Sequence, residues 1–253
     1  MENNKGAQVF NVIYITYNPQ KGLIEKHLEN WRKIPDEIRS QFRFILVDDC
    51  STVPVDPVVD FPIRLTIARV DDDIYWNPPG AKNVGFTLAD TDWIFSSDID
   101  HFVPANHYER ILNLPTGKKN MYFFERFKPD GSSRNKNSTN LFVIHYEDFW
   151  NTGGYDEDFC GAHGYDDHLI IGNVRYPQQI SIMKQQGMNF VQTKIPIVEH
   201  SEYATGDAGK KAATNSINLP KLNEKLQQLK AGVYEHGPIL RFKYHIAKEY
   251  FHR

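Results

Sequence analysis

The chain has 253 residues, of which 40% are hydrophobic, so it fits one large domain or one domain with an appendage and can bury a sizeable core. Its formal net charge of −3 implies no pervasive basic surface and argues against a nucleic-acid partner. No stretch approaches the roughly 20 apolar residues of a membrane-spanning helix, and no signal peptide is evident.

The first hundred residues predict alternating buried strands and helices. Strands are expected at 9–16, 42–47, 63–68 and 92–95, and helices at 21–31 and 80–89. This order predicts a parallel α/β sheet, and in such sheets ligands bind beyond the carboxyl ends of the strands.

Polar residues gather at the expected strand ends. They are Thr16, Asp48, Asp49, Asp98 and Asp100. Because the carboxyl ends of parallel strands meet at one edge of the sheet, a single crevice can collect all five side chains. We therefore expect one ligand site at that edge.

The second half of the chain is less regular. Its apolar runs predict three further strands, at 121–127, 141–145 and 189–198. The polar stretch 128–140 is expected to be a mobile loop, and loops of this length inside a compact domain are often functional.

After a polar segment at 204–215, helical spacing returns at 219–230 and 239–250. We therefore predict a domain at residues 1–210 and a helical C-terminal extension at 211–253, which packs on the domain or at an interface. The extension mixes basic and aromatic residues and could lie on an anionic membrane surface, although a packed helix is the simpler interpretation.

Cysteine use indicates the compartment. The chain has two cysteines, Cys50 and Cys160, and nothing in the sequence supports a disulfide between them. So few cysteines in a chain of this size are typical of a reduced protein. We therefore expect a cytoplasmic protein whose contact with a membrane, if any, is peripheral.

The most informative stretch is residues 151–168, where a glycine-rich turn precedes Asp166 and Asp167 and an apolar run follows them. Adjacent acids at the opening of a helix are favoured by its unpaired N–H groups, and glycines leave room for a ligand. A second acidic pair, Asp98 and Asp100, follows the strand expected at 92–95. Two acidic clusters at the ends of regular elements suggest a metal-assisted transferase rather than a binding module.

Five short motifs follow one another along the chain. They are Thr-Tyr-Asn at 16–18, Asp-Asp-Cys-Ser at 48–51, Gly-Ala-Lys-Asn-Val-Gly at 80–85, Asp-Ile-Asp at 98–100, and Gly-Gly-Tyr-Asp-Glu-Asp-Phe at 153–159 with Gly-Tyr-Asp-Asp at 164–167. Together they resemble the TYN, VDDGS, GxARNxG, DXD and GGFDExF…GxGxED motifs of nucleotide-sugar glycosyltransferases of the GT-A fold, of the family-2 and galactosyltransferase-like kind. The resemblance covers about residues 8–200, with Cys50, Lys82 and Asp166 where that family has glycine, arginine and glutamate.

This resemblance implies a fold and an activity. The fold is α/β of the GT-A type, Rossmann-like, with a mostly parallel central sheet flanked by helices, followed here by the helical C-terminal tail. The activity is the metal-dependent transfer of a hexose, with inversion, from a nucleotide-diphosphate sugar to a hydroxyl of a glycan or other acceptor. The donor is expected to be UDP-linked.

The resemblance also implies the donor site. Its nucleotide-sugar-binding residues would be Thr16, Tyr17, Asn18, Asp48, Asp49, Gly80, Lys82, Asn83, Asp98 and Ile99. Mn²⁺ or Mg²⁺, hard cations that prefer oxygen ligands, would be bound by Asp100 with Asp98 and His200, and His101 would be a bystander. Because alternate residues of an extended chain face opposite sides, Asp98 and Asp100 can face one ion only if the chain turns there.

On the acceptor side, the motif position of Asp167 implies the general base, and Asp166 would bind acceptor hydroxyls. The assignment between these two acids stays open, and their adjacency should raise the pKa of one of them, as a base requires. Weaker acceptor contacts are expected from Trp76, Gly154 and Tyr165. Asp156 and Glu157, in the same motif, are expected to brace its loop at least as often as to contact a sugar.

Three other functions compete with an inverting transferase. A retaining transferase of the same fold differs only in product stereochemistry. A catalytically inactive carbohydrate-binding domain is disfavoured by the intact acids of both clusters. A sugar nucleotidyltransferase would need a glycine-rich, arginine-containing loop after the first strand, and residues 16–19 do not form one.

Overall fold

A nine-stranded β-sheet occupies the centre of the described part of the chain in the computed structural model. The structure describes residues 9–115, 117–133, 139–173, 178–200 and 208–251, and for residues 208–216 it describes the backbone only. The strands are β1 (Phe10–Thr16), β2 (Phe42–Asp48), β3 (Arg64–Val70), β4 (Trp93–Asp98), β5 (His101–Phe102), β6 (Asn120–Phe127), β7 (Phe142–His145), β8 (Asn189–Glu199) and β9 (Tyr244–Tyr250). Their order across the sheet is β5-β8-β6-β7-β4-β1-β2-β3-β9.

The sheet is mostly parallel, as the sequence predicts. Strands β4, β1, β2 and β3 are parallel neighbours, and β6 and β8 are also parallel to each other. Strand β7 runs antiparallel to both β4 and β6, so β6 and β8 point in the same direction as the central four. The carboxyl ends of these six strands therefore lie along one edge of the sheet.

Helices cover both faces of the sheet. In chain order they are α1 (Leu23–Arg32), α2 (Asp36–Arg39), α3 (Pro78–Thr87), α4 (Tyr108–Leu112), α5 (Tyr146–Trp150), α6 (Asp166–Ile170), α7 (Ile182–Gln185) and α8 (Ala208–Ala231). None of the helices in the described residues is long and apolar enough to cross a membrane.

Strand β1 shows why the central strands are apolar throughout. Phe10, Val12 and Tyr14 pack in the cluster that holds α1, while Ile13 packs in the cluster that holds α3. Successive side chains of a strand point to opposite faces, and a parallel sheet with helices on both faces buries both sets. Burial on two sides fixes β1 and β4 in the middle of the sheet and so fixes the positions of their acidic ends.

The C-terminal region corrects part of the sequence analysis. Residues 219–230 lie in α8 as predicted, but α8 already begins at Ala208, within the segment expected to be non-helical. The helix predicted at 239–250 is wrong, because Tyr244–Tyr250 forms β9, antiparallel to β3. Without β9 the N–H and C=O groups along the outer edge of β3 would lack partners, and pairing with the tail satisfies them.

The domain division predicted at residue 210 stays a prediction, although β9 shares the sheet of the preceding residues. The loop predicted at 128–140 lies partly outside the described residues. Its described parts, up to residue 133 and from residue 139, contain no helix and only one isolated bridge, between Phe127 and Ser133.

Helix α3 approaches β1 so closely that Gly85 has no room for a side chain. A Cβ atom at Gly85 would lie 2.4 Å from Cγ2 of Ile13. We expect Gly85→Ala to lower the free energy of unfolding by about 1–3 kcal/mol, because overpacking outweighs the gain of about 1 kcal/mol or less that alanine brings inside a helix. Urea unfolding followed by circular dichroism measures the change.

The control for this prediction is the double variant Gly85→Ala with Ile13→Ala, which removes the methyl group that alanine would meet. The double variant should be more stable than the sum of the two single changes implies. A Gly85→Ala protein that is more stable than the wild type would show that the approach is not tight.

Candidate active site

A turn after β4 brings two carboxylates to one point. Strand β4 ends at Asp98, Ile99 and Asp100 form a turn, and His101 begins β5. Ligand atoms of Asp98, Asp100 and His101 lie within 4.8 Å of one another. The turn that the sequence analysis required for both acids to face one ion is therefore present.

The charges in this group favour a cation. Burial raises the pKa of Asp100, and the neighbouring carboxylates of Asp98 and Glu199 raise it further, while His101 opposes the rise. The ring of His101 is buried, with Nδ1 3.3 Å from Oδ1 of Asp100, and within the described residues neither ring nitrogen has a hydrogen-bond partner. Two carboxylates and an imidazole with unused nitrogens form a donor set that fits a divalent ion.

The structure places His200 differently from the prediction. Its main-chain N–H donates to the carbonyl of Asp100 at 2.9 Å, so the end of β8 does lie beside the turn. Its ring, however, packs edge-on against Phe102 with centroids 5.0 Å apart, and the three-residue group contains His101 instead. The pairing of β5 with β8 produces this arrangement, and β5 is too short to be recognised in the sequence.

Lys82 carries a positive charge into the same edge of the sheet. It lies on α3 and is 2% exposed, with Nζ 3.8 Å from Oδ1 of Asp98 and 5.0 Å from the ring centre of Tyr155. Burial alone would lower its pKa, but Tyr155 and the facing carboxylates of Asp98, Asp166 and Asp167 raise the pKa of Lys82 above its ordinary value. Lys82 therefore stays charged at neutral pH.

The acceptor-side acids begin a helix, as predicted. Asp166 and Asp167 are the first residues of α6, and Tyr165 before them has a left-handed φ of 73°. Burial and the adjacent Asp167 raise the pKa of Asp166 to about 6, although Lys82 lowers it. The rise predicted for one acid of the pair thus falls on Asp166, the residue assigned to acceptor hydroxyls.

Asp167 has a partner that the sequence analysis did not identify. The hydroxyl of Thr139 donates a hydrogen bond to Oδ2 of Asp167, and Nε2 of His168 lies 4.0 Å from its Oδ1. Thr139 belongs to the loop predicted at 128–140, so this hydrogen bond connects that loop to Asp167, the predicted general base. No sequence signal distinguishes Thr139 from the other polar residues around it.

The two acidic clusters meet at Lys82. Asp98 belongs to the turn after β4, and Asp166 and Asp167 belong to α6, yet all three carboxylates act on the charge of the same ammonium group. One strand-end acid and both acids of α6 therefore lie near one ammonium group, and a crevice that also collects Thr16, Asp48, Asp49 and Asp100 stays a prediction.

Asp48 is engaged by its own loop. One carboxylate oxygen accepts from the N–H of Ser51 at 2.8 Å, and the other accepts from the N–H of Val55 at 3.1 Å and from Arg69 at 2.5 Å. Asn18 likewise braces this loop, since its Oδ1 accepts from the N–H of Thr52 at 2.8 Å. These contacts give Asp48 and Asn18 structural duties in addition to any contact with a nucleotide.

Asp49 is the more available acid of the pair. It is buried, and its Oδ1 accepts one hydrogen bond from Nδ2 of Asn77 at 2.8 Å. Burial raises the pKa of Asp49 to about 7, and nearby Asp48 and Asp73 add to the rise while Asn77 opposes it. A hydrogen-bond donor on a ligand, such as an N–H or O–H group, would stabilise the ionised form of this carboxylate.

The first-strand motif offers two further groups at this edge. Oγ1 of Thr16 is buried and, within the described residues, has no hydrogen-bond partner. Tyr17 is 38% exposed and its hydroxyl donates to Asp73 at 3.5 Å. Both residues are placed where the sequence analysis expected a nucleotide.

Three predicted site residues are used for packing. Asn83 donates to Glu157 Oε1 at 2.9 Å and to the carbonyl of Tyr155 at 2.8 Å, and it accepts from the N–H of Tyr155 at 2.9 Å. A Cβ at Gly80 would lie 2.5 Å from the ring of Phe242, and one at Gly154 would lie 2.9 Å from Oδ1 of Asn83. These residues join α3 to the acceptor-side motif, and their observed contacts are with protein groups.

The loop-bracing role predicted for Asp156 and Glu157 is confirmed. Glu157 is fully buried and accepts from the N–H groups of Leu240 and Arg241 at 2.7 and 3.3 Å. Asp156 lies 2.7 Å from Nζ of Lys225 and accepts from the hydroxyl of Tyr234 at 2.9 Å. Residues after 220 thus hold the acceptor-side motif in place.

The two aromatic acceptor candidates lie near histidines. Trp76 is half-buried, has a φ of 54°, and meets the ring of His163 edge-to-face at 4.3 Å. Tyr165 meets the ring of His168 edge-to-face at 5.3 Å. These two pairs are separate in the structure, and whether either contacts a sugar stays a prediction.

The family model described as "Glycosyl transferase family 2" matches residues 11–181, which is more than half of the chain. The match includes most of β1, the motifs at 48–51 and 80–85, the turn after β4 and helix α6. No curated protein matches the sequence.

Three solved structures with detectable similarity are distant in sequence. A mannosyltransferase from Pyrobaculum calidifontis in complex with GDP-Man and Mn²⁺ has a TM-score of 0.56 and 17% identity, over 90% of this chain and 65% of that chain. GalNAc-T7 with UDP, GalNAc and Mn²⁺ has a TM-score of 0.54 and 12% identity, over 78% and 44%. TarS 1–349 of S. aureus has a TM-score of 0.48 and 14% identity, over 64% and 53%. The first two confirm the predicted GT-A fold, and the chain spans about half to two thirds of these three structures.

The raised pKa of Asp49 makes stability depend on pH. Because its pKa is about 7 in the folded protein and near 4 when unfolded, the folded state holds the extra proton between these values. The contribution of Asp49 to the free energy of unfolding should therefore fall as the pH rises from 4 to 7 and level off above 7. Asp49→Asn removes this contribution, so the stability of the variant relative to the wild type should grow by up to about 4 kcal/mol across that range.

Urea unfolding at a series of pH values measures this difference. The control is Asp60→Asn, since the side chain of Asp60 is 63% exposed and lies away from the crevice, and it should leave the pH dependence of the wild type unchanged. A constant difference between Asp49→Asn and the wild type from pH 4 to 8 would mean that Asp49 is ionised throughout.

Proposed function

Because the chain belongs to glycosyl transferase family 2 and is therefore a glycosyltransferase, we propose that it transfers a sugar from a nucleotide-diphosphate donor to an acceptor hydroxyl, with a divalent metal ion and with inversion. The proposed donor is UDP-linked and the proposed acceptor is a hydroxyl of a glycan or similar compound. The observation that carries the proposal is the meeting of the two acidic clusters at Lys82.

The metal site consists of Asp98, Asp100 and His101, whose ligand atoms already lie together. Oxygen ligands with one imidazole suit Mn²⁺, and Mg²⁺ is the alternative. A bound ion of this kind would neutralise the negative charge that develops on the leaving nucleoside diphosphate. His200 stays a candidate ligand, because its main chain is bonded to the same turn.

The protein's own residues prepare the donor side. Lys82 supplies a positive charge that burial holds in a fixed position, 3.8 Å from Asp98, where it can face a diphosphate. Thr16, Tyr17 and Asp49 are the proposed contacts of the nucleoside. UDP and GDP are both ligands of similar structures, so both are suitable first probes.

The acceptor side supplies the base. In the proposed step the acceptor oxygen attacks the anomeric carbon, the bond from that carbon to the diphosphate oxygen breaks with its electron pair, and Asp167 accepts the hydroxyl proton. No covalent intermediate forms. The raised pKa of Asp166 makes this neighbour the second candidate for the base, because a general base works best with a pKa near the working pH.

The proposed cellular setting is the cytoplasm. The support is chemical, since Cys50 and Cys160 are both free thiols in the structure. We retain residues 1–210 as the proposed catalytic domain, and the structure adds α8 and β9 as the elements that the remaining chain contributes.

Replacement of each acid tests the proposal. Asp167→Asn should lower kcat by about 100-fold or more with donor binding unchanged, because it removes the proton acceptor and keeps the shape. Asp166→Asn should chiefly raise the KM for the acceptor. The assay follows release of UDP or GDP from nucleotide sugars with a panel of sugar acceptors, and proton NMR of the product reads the anomeric configuration.

The outcomes separate the alternatives. A larger loss of kcat in Asp166→Asn than in Asp167→Asn would move the base to Asp166. A product with the configuration of the donor would refute inversion. Donor binding without turnover on any acceptor would favour an inactive binding domain.

A further inference from the structure

The segment that carries the candidate metal ligands includes two main-chain carbonyl groups in buried residues. Ile99, between the two aspartates, is 8% exposed, and Val103, just after the turn, is 1% exposed. A buried carbonyl without a hydrogen bond is costly, so the protein must supply donors from elsewhere. Those donors come from a helix that belongs to none of the motifs discussed above.

His27 of α1 supplies the first donor. It is fully buried, and its Nε2 lies 2.6 Å from the carbonyl oxygen of Ile99. Since a carbonyl only accepts, Nε2 carries the proton and donates it. Burial lowers the pKa of His27 to about 4, with His200 and His101 adding to the fall and the Ile99 carbonyl opposing it. The ring is therefore neutral at pH 7.

Asn30, one turn further along α1, supplies the second donor. Its Nδ2 donates to the carbonyl of Val103 at 2.7 Å. Between these two bonds, the ring of Phe102 stacks on the ring of His27 with centroids 3.9 Å apart and planes 13° from parallel. The segment from Ile99 to Val103 is thus held at three successive points by one face of α1.

That face is otherwise apolar. Leu23, Ile24, Leu28 and Trp31 are its other buried residues, and they pack in the main core. A leucine at position 27 would leave the carbonyl of Ile99 without this donor and would lose the ring stacked on Phe102. The polar nitrogen of the histidine is therefore explained by the turn that it supports.

We propose that His27 and Asn30 are positioning residues that set the geometry of Asp98 and Asp100 for a divalent ion. The inference rests on the proposed function, because it takes this turn as the metal-binding turn. Neither side chain touches the ion or the substrates. Both act through the main chain of the turn, and groups that orient metal ligands in this way typically contribute about 10- to 100-fold to metal affinity.

The test measures Mn²⁺ affinity directly, by electron paramagnetic resonance of free Mn²⁺ in the presence of saturating UDP. His27→Phe keeps a ring to stack on Phe102 and removes the donor, and its dissociation constant should rise by about 10- to 100-fold. His27→Gln places an amide N–H near the position of Nε2 and should recover most of the affinity.

Leu28→Ala is the matched control. Leu28 is the next residue on α1, is buried in the same core and has no polar side-chain atom that could bond to the turn. This variant should lose stability, by thermal unfolding, and keep the Mn²⁺ affinity of the wild type. Equal losses of affinity in Leu28→Ala and His27→Phe would reduce the role of His27 to general stability and overturn the proposal.

The remaining outcomes separate this inference from the proposed function. If the wild type and a folded His27→Phe protein bind Mn²⁺ with equal affinity, the inference is overturned and the proposed function is not. Absence of Mn²⁺ binding by the wild type would overturn the metal assignment and this inference with it. If His27→Phe fails to fold, Asn30→Ala, at a half-buried position, replaces it as the test variant. Asn30→Ala should bind Mn²⁺ more weakly than the wild type, and unchanged binding would contradict the positioning role.

Discussion

The buried ammonium group of Lys82 is the interaction on which the rest of the site depends. Burial alone would lower its pKa, but three carboxylates from two distant segments help to raise it, and its positive charge offsets their mutual repulsion. A buried lysine in turn requires such partners, because the cost of removing an isolated charge from water is large. The donor-side and acceptor-side acids are therefore mutually dependent parts of one site.

The packing of α3 explains how Lys82 reaches this position. Gly85 allows the helix to lie against β1, Gly80 lies under Phe242, and Asn83 joins the helix to the main chain of Tyr155. These residues lie in one of the five motifs, and their contacts are structural. The structural effect of the motif is thus chiefly to place a single charged side chain beside Asp98.

The C-terminal part of the chain is built into the acceptor side. Buried Asp156 and Glu157 would be costly without donors, and Lys225, Tyr234 and the main chain at Leu240 supply them. A sequence search for motifs ends before these residues, but the geometry of α6 depends on them. Helix α1 has a corresponding role on the donor side, where its polar side chains reach the turn after β4.

The sequence predicted most of the core and the main acids, and its failures have physical causes. Buried parallel strands are recognisable as continuous apolar runs, so β1 to β4 and the acids at their ends were predicted correctly. The tail at 239–250 has helical spacing, yet the open edge of β3 decides its structure, and that edge exists only after folding. No sequence signal indicates that His101 lies with Asp98 and Asp100, because the two-residue strand that begins at His101 and pairs with β8 is too short to leave a pattern. The contacts of Asp48 with Arg69 and two N–H groups were not predictable either, because its partners lie in loops and on a neighbouring strand that only the fold brings together.

Calorimetric titration of UDP and of GDP, with and without Mn²⁺, tests the central claim most directly. The titrations are made on the wild type and on the Asp100→Ala and Lys82→Met variants. If the turn after β4 and Lys82 belong to one donor site, one nucleotide should bind, and its binding should require Mn²⁺. This binding should be lost in Asp100→Ala and weakened in Lys82→Met. Binding that is equal in all three proteins, or absent from the folded wild type, would contradict the account and place the nucleotide elsewhere or nowhere on this chain.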